Sequence, residues 1–119
     1  MERARPPADI LPSDFFIRWV PRTVAQDVER QAKLGNTRAT VVFELSGPEG
    51  GVYTLRIENG QVEGREGATE KPDLRVHLDV ATWRRLNRGE TSAPEATLKR
   101  ELRFEGNFLL GLKLHLILG

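Results

Sequence analysis

Cysteine is absent from the 119 residues of this chain. Disulfide bonds and thiolate chemistry are therefore excluded, and a reducing compartment such as the cytoplasm would suit the protein. The sequence also lacks an apolar run of the ~20 residues that a transmembrane helix needs. Residues 1–12 contain charges and prolines without an apolar centre. We therefore expect a flexible lead-in there, and no secretory signal.

An excess of charge of either sign is lacking too, because 18 basic side chains face 17 acidic ones. Near-neutrality gives no global attraction toward nucleic acid or an anionic membrane. The densest group of arginines is Arg84, Arg85 and Arg88, and no aromatic residues interleave them as a nucleic-acid platform would require. We expect these arginines to form a solvated face, and we expect no nucleic-acid partner.

Catalytic constellations are missing as well. The two histidines, His77 and His115, are far apart in sequence and form no H-x-x-x-H pair, so no metal site is predicted. Asp73 and Asp79 flank one predicted strand, about 20 Å apart at strand rise, which is too far for shared acid–base work. The sequence predicts no enzyme, no cofactor and no metal. It also predicts that neither histidine is needed for function, since neither has an evident partner.

Helical signals dominate the first third of the chain after the lead-in. Ser13 is a good N-cap residue and predicts the start of a short helix. Pro21 predicts an interruption and the start of a second helix, which Gly35 and Asn36 would end. Apolar residues recur at i+4 in this second helix and predict one buried stripe, made of Val24, Val28 and Ala32.

The pattern then changes to a period of two, which is typical of strands with one buried face. Alternation predicts strands at 38–46, 52–58, 61–65, 73–80 and 101–105. Asn59-Gly60 is a strong hairpin signal, and the weak strand after it is expected at an edge. Val42 falls on the polar side of the first strand. Asp79 and Ser92 are expected to cap short helices, and the segregated order of helices and strands predicts an α+β fold.

The C-terminal segment, residues 108–118, is apolar nearly all round a helix. An ordinary surface helix needs only one apolar stripe. Two interpretations stay open from this pattern. The segment is either a buried helix or dimer contact, or a helix with one side on the core and the other on a bound apolar ligand.

Four stretches together resemble the sterol carrier protein 2 (non-specific lipid-transfer) family. They read TVVFELSG (40–47), YTLRIENG (53–60), PDLRVHLDVATWRRLNRG (72–89) and LRFEGNFLLGLKL (102–114). The resemblance covers residues 13–119, and Lys99-Arg100-Glu101 departs from it where the family has a glycine opening the last strand. Residues 98–112 are also similar to accessory proteins of bacterial ubiquinone biosynthesis that carry this domain.

The resemblance implies a five-stranded, mostly antiparallel sheet covered by helices. It also implies an apolar tunnel for a fatty acid, acyl-CoA, sterol or isoprenoid, with no catalytic residues. From the apolar pattern we expect the wall to include residues from helices and strands alike: Phe15, Trp19, Phe43, Trp83, Leu86, Phe104, Phe108, Leu112 and Leu116. The expected partner is a lipid, with transient membrane contact, in a monomer or weak homodimer. The alternative is a protein-interaction module that docks through the C-terminal helix.

Overall fold

The computed structural model describes residues 5–113. These residues form a five-stranded sheet and the helices that pack on it. The strands are β1 (Ala39–Ser46), β2 (Gly51–Glu58), β3 (Gln61–Glu66), β4 (Leu74–Asp79) and β5 (Leu102–Gly106). Their order across the sheet is β3-β2-β1-β4-β5. Only the central β1–β4 pair is parallel among these strands. The predicted α+β fold, with a mostly antiparallel sheet and β3 at one edge, is confirmed.

Helices cover one face of this sheet. They are α1 (Pro12–Asp14), a π-helix (Phe15–Trp19), α2 (Val20–Ala25), α3 (Val28–Leu34), α4 (Val80–Asn87), α5 (Ala93–Leu98) and α6 (Phe108–Lys113). The π-helix and α2 pack over β2 and β3, whereas α6 packs over β4 and β5. The two halves of the sheet therefore have different covers.

The face toward the helices, called the inner face here, is almost entirely apolar. It carries Val41, Phe43, Leu45, Tyr53, Leu55, Ile57, Leu74, Val76, Leu78 and Leu102, all buried. The opposite, outer face is polar, but Val42 on it is fully buried, so its predicted exposed position is wrong. Val42 lies on the central strand between Thr54 of β2 and Arg75 of β4. Val42 is buried because strands lie on both sides of β1, whereas the same side chain on an edge strand would be exposed.

The first helical stretch begins and continues differently from the prediction. Leu11 is the N-cap and Pro12 opens α1, because a proline has the φ of the first helical turn and no N–H to satisfy. Ser13 therefore lies inside the helix and does not cap it. Pro21 sits in the first turn of α2, and helical structure runs unbroken from Pro12 to Ala25. A π-helical turn, in which the Val20 N–H reaches the Phe15 carbonyl, precedes the proline.

A glycine of β3 lets this helical stretch approach the sheet closely. A Cβ on Gly64 would stand only 1.9 Å from the Phe16 carbonyl oxygen, which no side chain could tolerate without a backbone shift. The glycines around Gly64 do not form a phosphate loop. Gly64 serves helix–strand contact instead.

The predicted stripe of the second helix is wrong beyond its first member. Val24 is fully buried, but Val28 is 78% exposed and Ala32 is exposed. The reason is a break between α2 and α3, where the Asp27 carboxylate accepts the Arg30 N–H at 3.1 Å and caps the new helix. The break resets the helical phase, so that Leu34 faces the core in place of Val28.

Both predicted caps of the later helices are confirmed. Asp79 Oδ1 accepts the Thr82 N–H at 2.7 Å, and Ser92 Oγ accepts the Glu95 N–H at 3.2 Å. Hydrogen bonds from Thr82 hold the pKa of Asp79 below its ordinary value, since they favour the charged carboxylate. These caps fix where the chain leaves β4 and where it approaches β5.

Candidate functional site

Aromatic side chains fill the space between the first helices and the sheet. Phe15 stacks on Trp19 and meets Trp83 edge-on, both with ring centroids 5.3 Å apart. Phe16 packs on Phe43 of β1 at 4.8 Å. All but Trp19 are at most 3% exposed. This aromatic cluster therefore belongs to the buried core between the first helices and the sheet.

One polar atom lies buried in the aromatic cluster. The indole Nε1 of Trp83 is inaccessible to solvent and has no hydrogen-bond partner among residues 5–113. A buried donor without an acceptor costs about 1–3 kcal/mol. An acceptor oxygen entering the cluster would remove that cost.

Helix α6 covers the other half of the inner face with one residue and exposes the rest. Leu110 is 5% exposed, whereas Phe108, Leu109 and Leu112 are 68%, 74% and 71% exposed. A Cβ on Gly111 would stand 3.7 Å from the Phe104 ring, an ordinary van der Waals distance, so the helix lies against β5 without a need for glycine at this position. Leu110 and Leu112 are two residues apart, about 200° around a helix. Residues 108–113 therefore have one buried side and one exposed side, and contact of the exposed side with a ligand stays a prediction.

The predicted wall residues fall into three groups. Phe15, Phe43 and Trp83 are buried; Trp19, Leu86 and Phe104 are partly buried against the core. Phe108 and Leu112 are exposed on α6, and Leu116 lies outside the described residues. The structure brings the first two groups onto the inner face. Their contact with a ligand stays a prediction, as does the tunnel.

Two of the surface cavities have no predicted wall residue from the described part of the chain in their lining. The larger, about 610 Å³, is an open groove where β1 and β4 end. The smaller, about 160 Å³, lies beside α6, with Leu109 and Leu110 on one side and Arg38 and Lys113 among its polar groups. The Lys113 ammonium donates to Thr37 Oγ1 at 2.8 Å, which ties the end of α6 to the segment before β1.

His77 has partners that the sequence did not predict. Its Nδ1 lies 2.7 Å from Glu44 Oε2, and its Nε2 lies 3.5 Å from Glu105 Oε2. The parallel pairing of β1 with β4 places His77 directly beside Glu44. The prediction of an exposed histidine without partners is therefore wrong, because a contact between separate strands leaves no local signal. His115 lies outside the described residues.

The arginines of α4 are engaged, which corrects the expected solvated face. Arg84 Nη1 donates to the carbonyls of Ala8 and Ile10 at 3.3 and 3.1 Å, and Arg88 also donates to Ala8. Arg85 donates to Glu101 at 2.9 Å. These bonds attach residues 8–10 of the lead-in to the domain, and Ile10 packs against the core.

Residues 5–113 contain no group of three His, Cys, Asp or Glu side chains placed to hold a metal ion. Within the same range, no helix has the length and apolar character needed to cross a membrane.

The sequence model of the SCP-2 sterol transfer family matches residues 20–119. The chain belongs to this family. No curated protein matches the sequence. The matched residues include β1 to β5 and α6, so the inner face and the helix over β4 and β5 both lie within the family domain.

Solved structures share this fold at low identity. A double mutant of the sec-alkyl sulfatase PisA1 has a TM-score of 0.74 and 20% identity, covering 92% of this chain. The chain spans only 17% of that protein, which in its parent form comes from a Pseudomonas species. Palmitated SCP2L2 from Aedes aegypti has a TM-score of 0.66 and 15% identity, covering 88% of this chain and 92% of that one.

A third structure, a conserved hypothetical protein from Thermus thermophilus, is of nearly equal length. Its TM-score is 0.67 at 14% identity, with 98% of this chain and 91% of that one covered. The fold thus occurs both alone and as a small part of a larger enzyme. At these identities the likeness concerns the fold.

Proposed function

We propose that this chain binds a long-chain lipid on the inner face of the sheet, beneath α6, and carries or presents it without chemical change. The observation that carries the proposal is the divided character of α6. Only Leu110 is buried, and three large apolar side chains of the same short helix face solvent. Exposed side chains of this size have apolar area that a ligand or a membrane would remove from water.

The region beneath α6 suits an acyl chain. Leu74 of β4 and Phe104 of β5 contact the helix, and Val76 pairs with Phe104 across the strands. Moving α6 outward would expose these side chains as an apolar floor. The loss of Leu110 burial is worth about 1.5–3 kcal/mol, which contact with an acyl chain can replace. Family membership and the palmitated relative support the same class of ligand.

The buried end of the aromatic cluster fits the oxygen of such a ligand. Trp83 Nε1 is a donor without an acceptor in the described residues. We propose an amphiphile that enters beneath α6 and reaches this donor, and we place the protein in the cytoplasm.

A fluorescent fatty acid titration tests the proposal. We expect saturable binding at micromolar concentrations, and a loss of affinity of at least fivefold in Leu109→Ser. Ala25→Ser is a matched control, since it is an exposed residue of α2 on the other half of the domain. Both variants should unfold within about 0.5 kcal/mol of the parent chain, as surface changes usually do. Absence of saturable binding by the parent chain would refute the proposal.

The exposed side of α6 also favours a second candidate, a protein-interaction module that docks through this helix. Native mass spectrometry of freshly purified protein separates the two. A co-purifying lipid supports the carrier. A dimer without lipid, which Leu109→Ser converts to monomer, supports the docking module.

A further inference from the structure

The larger surface groove has one unsatisfied carboxylate oxygen on its wall. It lies where β1 and β4 end, apart from α6, and its polar lining includes Glu44, His77, Arg100, Glu101 and Arg103. Glu101 Oε1 is inaccessible to solvent and makes no hydrogen bond with any residue in 5–113, whereas His77 Nε2, also buried, lies 3.5 Å from Glu105 Oε2. Buried polar atoms without partners are uncommon and call for an explanation such as a bound molecule.

The carboxylates of the groove are already engaged, whereas two of its guanidinium groups are not. Glu44 pairs with His77, Asp79 caps α4, and Glu101 accepts from Arg85. Arg100 and Arg103, both exposed, have side chains that form no hydrogen bond or ion pair with the described part of the chain. Free guanidinium groups present forked donors that suit oxyanions.

Arg100 also occupies a backbone conformation that favours glycine. Its φ is 60°, in the left-handed region, directly after the C-cap of α5. Glycine is the usual residue there, and a residue with a Cβ is strained in that conformation because the Cβ comes close to the following carbonyl oxygen. Strain of this kind is concentrated at functional sites. The side chain that causes the strain is the one that lines the groove.

We propose that this groove binds a phosphate group. Its oxygens would accept from Arg100 and Arg103, and a rotation of the Glu101 side chain, which is 30% exposed, would bring Oε1 to accept from the remaining hydroxyl. A phosphate that retains a proton has both kinds of group, whereas sulfate has acceptors alone. The site is separate from the region beneath α6, so its existence does not depend on lipid binding.

The main test is a titration with inorganic phosphate, followed by NMR at neutral pH. We expect saturable binding and at least fivefold weaker binding of sulfate. Arg100→Gly should reduce phosphate affinity at least fivefold, yet raise Tm by about 4–8 °C because it removes the left-handed strain. Arg103→Gln should lower the affinity comparably and leave Tm unchanged.

Two control variants distinguish a loss of the phosphate site from a general loss of positive charge and from a general relief of backbone strain. Arg22→Gln removes the same charge from an exposed position on α2, and Asn59→Gly changes another left-handed residue, with φ of 54°, at the β2–β3 turn. Both should retain phosphate affinity within about twofold. An equal loss in Arg22→Gln, or equal binding of sulfate, would overturn the proposal.

The phosphate could come from a free metabolite or from a lipid headgroup. Sedimentation with phosphatidic acid vesicles, compared with phosphatidylcholine vesicles, distinguishes the two sources. Phosphatidic acid binding that Arg100→Gly abolishes, without binding of free phosphate, assigns the headgroup. If neither inorganic phosphate nor phosphatidic acid binds in an Arg100-dependent way, the proposal fails, whatever the fatty acid titration gives.

Discussion

The two halves of the inner sheet face differ in how they are covered. Over β2 and β3, the π-helix and α2 bury Phe15, Phe16, Val20 and Val24 completely. Over β4 and β5, α6 buries one leucine and exposes three other large apolar residues. The first half is packed as a core. The second half is also contacted by α4 and α5, but α6 itself is held by one buried side chain. Low local stability is the property expected of an element that must open for a ligand.

Phe16→Ala should destabilise the half of the domain in which the π-helix and α2 pack on β2 and β3. Phe16 is fully buried and packs on Phe43 and Tyr53. Its removal leaves a cavity that the closely held helix cannot fill, with an expected loss of about 3–5 kcal/mol. Urea denaturation measures the change. A loss below about 1 kcal/mol would show that this half is no denser than the other.

Leu110→Ala removes a buried apolar side chain in the other half, where α6 packs on β4 and β5. We expect a loss of about 2 kcal/mol, the low end for a buried leucine, because α6 can settle into the space. The same denaturation experiment gives the value. The comparison fails if Leu110→Ala costs as much as Phe16→Ala. Amide exchange of α6 that is as slow as that of α2 would contradict it independently.

Asp79→Ala removes the N-cap of α4 at the point where β4 ends. Loss of the N-cap should cost about 1 kcal/mol at neutral pH. Because hydrogen bonds lower the pKa of Asp79 in the folded state, its contribution is complete above the unfolded pKa of about 3.9 and is lost as pH falls through the lower, folded pKa. Asp79→Asn retains a capping oxygen and should lack this acid dependence. Parallel pH profiles for the parent chain and Asp79→Asn would contradict the assignment.

Local signals in the sequence predicted what local chemistry determines. The caps at Asp79 and Ser92, the hairpin at Asn59-Gly60 and the strand alternation all depend on neighbouring residues, and all are present. For α6 the sequence left two interpretations open, and the structure shows which residues of 108–113 are buried, since Leu110 is buried and Leu112 is exposed.

Errors arose where distant segments or a phase change decide the outcome. Val28 is exposed because Asp27 starts a new helix, and Val42 is buried because it lies on the central strand. The Asp27 cap is a local signal that the regular i+4 spacing of apolar residues masked, whereas the burial of Val42 depends on strands that are distant in sequence. The groove was missed for the same reason, since residues of β1, β4 and the segment before β5 meet only through sheet pairing.

His77→Gln is expected to have the smallest effect, and it tests whether the outer face takes part in lipid binding at all. The side chain lies on the face opposite α6, with Glu44 as its partner. Glutamine can still donate to Glu44, so fatty acid affinity should stay within about threefold, under roughly 1 kcal/mol. The fluorescent titration that measures Leu109→Ser gives this value too. A tenfold loss of fatty acid affinity in His77→Gln would place the lipid, or its polar end, on the outer face. Binding would then no longer be explained by the difference in cover between the two halves of the inner face.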